Sequence, residues 1–155
     1  ACAGLIGLAA TLWKNESLFA WCRAAGLAGL FYWLTYLPMS LWVMKASWGG
    51  FYFDEPRWRV PFTFAIVGAL LQLGLWLMNN KRITAIANTL FAAALLFSLA
   101  SLTSILHPES PILQSDSGLI KILFLLLFIV SFAGGITLAA VIQSWLKIGE
   151  KGKIV

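Results

Sequence analysis

Four stretches of this chain are long and apolar enough to cross a lipid bilayer, and no water-soluble core of this size could hide them all. Residues 24–44 carry no charge between Arg23 and Lys45, and residues 61–78 run from Pro61 to Met78 and stop at Asn79-Asn80-Lys81-Arg82. Residues 84–106 are uncharged up to His107-Pro108, and residues 119–146 hold one charge, Lys121, near their start, where its long stem can reach the interface. A helix needs roughly 20 apolar residues to cross the hydrocarbon. There every backbone N–H and C=O must be satisfied within the protein, so such runs fold as helices. The expected fold class is all-α: a polytopic membrane helix bundle with four transmembrane helices and a short N-terminal apolar half-helix.

Composition points the same way. Of 155 residues, 61% are hydrophobic and 11% charged, against about a quarter charged in soluble domains. Mean hydropathy is +0.87. The formal net charge is +5, but the cations stand singly between apolar runs rather than as a basic stripe, so nucleic acid is not an expected partner. Cys2 and Cys22 form no CxxC, CxxCH or zinc spacing. A single histidine cannot make a catalytic triad or a multi-histidine metal centre. No enzyme is expected.

Three parts follow from the charge pattern: residues 1–16, a short interfacial or partial helix; residues 17–146, the four-helix membrane domain; and residues 147–155, a basic tail. Ala3 to Trp13 is apolar but covers only about half a bilayer before Lys14-Asn15-Glu16. Two readings stay open, an interfacial or re-entrant helix and the end of a helix begun in a longer chain. Orientation follows from Lys and Arg near the spans. Seven lie on one side (Lys14, Arg23, Lys81, Arg82, Lys147, Lys151, Lys153) and four on the other (Lys45, Arg57, Arg59, Lys121). Both termini are therefore expected in the cytoplasm, in an inner or plasma membrane, with loops 45–60 and 107–118 outside. Pro38 should bend the first span. Ala24, Ala28 and Gly29, and again Ala133, Gly134 and Gly135, allow close helix approach. Asn15-Glu16-Ser17 matches a glycosylation sequon, but on the expected cytoplasmic side chance explains it better.

Two outward loops hold the candidate site. Trp48-Gly49-Gly50-Phe51-Tyr52-Phe53-Asp54-Glu55-Pro56-Arg57-Trp58-Arg59 is aromatic and doubly charged, set against the membrane face. Its rings can lie flat on a planar apolar ligand while Arg57 or Arg59 pairs with carboxylates; an aromatic belt at the interface accounts for the same residues. Asp54 and Glu55 read as a solvated charge cluster. In the other loop His107 follows the third span, placed either as a polar cap or as an axial ligand to heme iron, since neutral imidazole binds iron well.

The run Leu41-Trp42-Val43-Met44-Lys45-Ala46-Ser47-Trp48-Gly49-Gly50-Phe51-Tyr52-Phe53-Asp54-Glu55-Pro56-Arg57 resembles the tryptophan-rich WWD segment of the heme-handling proteins of cytochrome c biogenesis, of the CcmC and CcsA type. Trp48, Gly49, Pro56 and Arg57 fit that pattern, Phe51-Tyr52 replaces an aromatic pair, Asp54 stands where a Trp is expected, and Glu55 replaces the Asp. The family then has two spans, with a Leu-His like Leu106-His107 at the outward end of the second, and in the CcmC branch a final span like residues 119–146. The resemblance covers about residues 24–146. It implies non-covalent heme at the outer leaflet, with His107 as iron ligand and Trp48, Phe51, Tyr52, Arg57 and Arg59 around the macrocycle. Family members usually have at least six spans and a first ligand histidine upstream of the WWD segment; this chain has no upstream histidine. A second ligand would come from a partner or from Met39, Met44 or Tyr36. Two functions are thus expected as alternatives: heme handling with a cytochrome partner, or a non-catalytic accessory subunit among the other membrane subunits of a larger respiratory or photosynthetic electron-transfer complex. A transporter is a weaker third, because the spans hold no ionisable residue but Lys121, and little else polar beyond Gln72, Asn88 and scattered hydroxyls.

Overall fold

The computed structural model of the protein describes residues 1–102 and 116–151. These residues form five helices and no strand: α1 (Cys2–Trp13), α2 (Glu16–Trp48), α3 (Pro56–Met78), α4 (Lys81–Ala100) and α5 (Gly118–Lys151). α2 to α5 are each long and apolar enough to cross a membrane. The chain is an all-α membrane helix bundle.

The helices overrun the apolar runs, and local hydrogen bonding explains where they start and stop. α2 begins at Glu16 rather than near residue 24, because the Asn15 side chain accepts the N–H groups of Ser17 and Leu18. That capping bond gives the sequon asparagine a structural role. α2 then continues through Pro38 and ends at Trp48, where Gly49 takes φ 74° and its N–H bonds the Lys45 carbonyl. The loop expected at 45–60 is therefore only a short connector between Gly49 and Glu55. Pro56 is the first-turn proline of α3, which begins five residues before the apolar run. Pro61 lies inside that helix, and its carbonyl accepts the Trp33 indole N–H at 2.8 Å. α4 starts at Lys81 on a second asparagine cap, Asn80, and ends at Ala100, short of the expected 106. Residues 103–106 lie outside the described residues.

α1 packs against the bundle rather than standing apart from it. It runs lengthwise and antiparallel along α2 and α4, burying Gly4, Gly7 and Ala10. A Cβ on Gly7 would stand 2.6 Å from the Ala85 carbonyl, and one on Gly4 would collide with Ala92. The Thr89 hydroxyl bonds the Gly4 carbonyl at 3.0 Å, and the buried Cys22 thiol bonds that of Ala3 at 3.3 Å. Such small-residue contact is how helices associate in lipid, where apolar burial gives no drive.

α5 touches only α2 among the described helices. Ala24 and Ala28 pack on Ala139, flanked by Trp21, Leu138 and Ile142, and the Tyr32 ring rides over Gly134 and Gly135. Of the expected small clusters, Gly29 and Ala133 are exposed and take no part. At one end of the bundle Lys81 pairs with Glu16 at 3.1 Å and Arg23 donates to Asn79 at 2.9 Å, joining the α1–α2 and α3–α4 turns. The other end carries the aromatic connector.

Candidate functional site

The end of α2, the connector and the first turns of α3 bring the aromatic side chains together. Trp48 meets Tyr52 edge to face at 6.1 Å, Phe51 stacks on Phe53 at 6.0 Å, Phe53 meets the edge of Trp58 at 5.2 Å, and Trp58 stacks on Phe62 at 4.8 Å. The run is anchored from below. The Trp58 indole donates to Ser40 at 3.2 Å, and the Tyr52 N–H donates to the sulfur of buried Met44 at 2.9 Å. The Lys45 ammonium lies 5.8 Å from the Phe51 ring centre, a cation–π contact. Trp48, Phe51, Tyr52 and Phe53 all keep exposed faces. Physically this is a fixed aromatic apron at one membrane face, able to take a flat apolar body by stacking.

The charged residues divide in a way their sequence does not show. Asp54 is exposed, but Glu55 is only 1% exposed, which corrects the solvated cluster expected for the two. Glu55 sits at the N-cap of α3, and its carbonyl accepts the Trp58 and Arg59 N–H groups. The positive end of the helix dipole favours a carboxylate there. Arg57 and Arg59 are both exposed on the first turn. Residues two apart on a helix leave it in different directions, so the two arginines need not act alike on a carboxylate.

As a test of fit, the described residues suit a porphyrin's flat body and an acidic edge. Met44 is a poor iron ligand because its sulfur already accepts a backbone N–H, whereas Met39 and Tyr36 are exposed on α2. His107 lies outside the described residues. Among those residues, no group of three or more His, Cys, Asp or Glu side chains could hold a metal ion.

Gln72 and Asn88, isolated polar residues in the sequence of two spans, meet inside the bundle. The Gln72 amide donates to the Asn88 carbonyl at 2.7 Å, and the Asn88 amide reaches the Cys22 sulfur at 3.5 Å. Gln72 and Asn88 are 8% and 3% exposed. A signal was present: each is the lone amide of its span, and they stand almost equally far, in sequence, from the Asn79-Asn80 turn. At 1.5 Å per residue, equal spacing about a helical hairpin puts two residues at one depth. Gly26 makes room for them, since a Cβ there would lie 2.9 Å from the Asn88 amide.

No protein-family model, curated protein or solved structure matches the chain.

Proposed function

We propose that this integral membrane protein holds a flat, carboxylate-bearing cofactor against the aromatic apron at one membrane face, and that the cofactor is heme, offered to a cytochrome partner. One observation carries the reading: Trp48, Phe51, Tyr52 and Phe53 all present exposed rings at one helix end and connector, with exposed Arg57 and Arg59 in the next turn. The rings would carry the macrocycle and one arginine a propionate. His107, by the resemblance to the WWD proteins, would ligate iron. Redox chemistry is what heme supplies when bound; the chain's own part is to orient it and keep its edge within a partner's reach. It makes and breaks no bond as an enzyme. The apron faces outward from an inner or plasma membrane, and the Lys14 and Lys81 end faces the cytoplasm, by the distribution of basic residues.

A second reading, an accessory subunit of an electron-transfer complex, is favoured by α5. Packed on α2 alone, it leaves Phe124, Phe128 and Phe132 outward, a surface that neighbouring subunits could cover.

Gentle purification followed by oxidised and reduced absorption spectra separates the two. The heme reading expects a Soret band that His107→Ala removes. It also expects Arg57→Gln and Arg59→Gln to differ, one weakening heme retention and the other leaving it intact. A chain without a Soret band that co-purifies with large subunits overturns heme holding in favour of the accessory role.

A further inference from the structure

Between the helices lies an open-sided cavity of about 550 Å³ that reaches residues of all five helices. It exists because α5 approaches neither α3 nor α4 among the described residues, while α2 touches all three. Bulky lining residues are mostly aromatic, with Trp33, Phe64, Phe91 and Phe132 among them, and glycine and alanine make up much of the rest. No Asp, Glu, Lys or Arg side chain lines it, but Gln72 and Asn88 do. Both amides are more than nine-tenths buried.

We propose that this cavity is a binding site for a neutral alkyl- or prenyl-quinone drawn from the bilayer. The volume falls in the range of small-molecule sites, which combine apolar walls with a few placed polar groups. An ion is excluded by the cost of burying charge without a counter-charge. A lipid acyl chain fits the walls but gives the amides nothing. Each carboxamide has two N–H donors. Gln72 uses one on Asn88, and Asn88 uses one on a thiol, a weak acceptor. The remaining amide hydrogens suit a ring carbonyl, and the aromatic walls suit the ring. The cavity is open to one side, and Phe132 and Ile136 of α5 line it and are exposed, so the gap beside α5 gives lateral passage for a tail. The site is independent of the apron and of any heme bound there.

The test uses the full chain in lipid nanodiscs and decylubiquinone as probe, followed by quenching of fluorescence in a variant that keeps only Trp21 and Trp33, the two tryptophans that line the cavity. This parent protein is expected to show saturable quenching. Gln72→Leu should weaken the apparent affinity about tenfold through loss of the carbonyl's hydrogen bond, and decylbenzene, which has no carbonyl, should not compete. Because Gln72 also holds α3 to α4, Gly29→Leu serves as a second variant. Gly29 lines the cavity with no atom within 4 Å of a Cβ, so the leucine should fill the space without disturbing the fold and abolish saturation. Quenching that rises linearly with quinone in the membrane, or saturation untouched by both variants, overturns the proposal.

Discussion

Asn15 and Asn80 occupy the same position in two different helices, and each settles two N–H groups that an apolar residue would leave bare. Both stand at the end of the bundle where backbone groups leave the hydrocarbon. Replacing either by alanine should cost about 1 kcal/mol. The double variant should depart from the simple sum, because the Lys81–Glu16 pair joins the residues that follow the two caps. Reversible unfolding in mixed micelles measures both; an unchanged stability for Asn15→Ala would mean that water replaces the cap at no cost. Glu55 shows the limit of reading residues singly. Its neighbours Asp54 and Arg57 are exposed and look equivalent to it in the sequence, yet it alone is buried. Nothing in the order Asp-Glu-Pro-Arg sets that apart, because the helix start and the aromatic packing around it decide which acid turns inward.

At the scale of elements, the spans were legible because hydrocarbon thickness fixes how long an uncharged helix must be. Their ends were not, since Glu16 to Arg23 is polar enough to break an apolar count and still helical once Asn15 caps it. α1 was legible only as a half-length apolar run. What places it against the bundle is a set of glycines facing α4, and spacing in one segment cannot show what another segment presents to it. Gly7→Ala should push α1 off the Ala85 carbonyl and cost roughly 1–3 kcal/mol as overpacking. In a Cys2→Ser background the readout is maleimide labelling of Cys22, which is fully buried beneath α1. Labelling should accelerate in Gly7→Ala and stay at the wild-type rate in Gly29→Ala, where the added methyl meets open space. Equal rates would show that α1 does not guard Cys22.

For the whole molecule, the two ends differ in kind. One is joined by Lys81–Glu16 and Arg23–Asn79, and the other is an aromatic apron fixed to Met44 and Ser40. The expected topology puts these ends in different compartments. Single cysteines at Arg82 and Asp54, in a chain otherwise free of cysteine, should react with a membrane-impermeant maleimide from opposite sides of sealed vesicles. Reaction of both from one side would overturn the spans as drawn. The apron was visible in the sequence as a cluster of ring-bearing residues in one loop. The cavity was not, because it is a gap left where α5 leans on α2 alone, and a gap belongs to no residue.

The hydrogen bond between Gln72 and Asn88 also bears on how the protein is made. A single span carrying a bare carboxamide crosses into lipid at a penalty, while two spans that join their amides first enter with that penalty reduced. The tight Asn79-Asn80 turn brings the partners to one depth as soon as α4 has formed. Entry of α3 and α4 from the translocon into lipid is therefore expected as one hairpin rather than as successive helices.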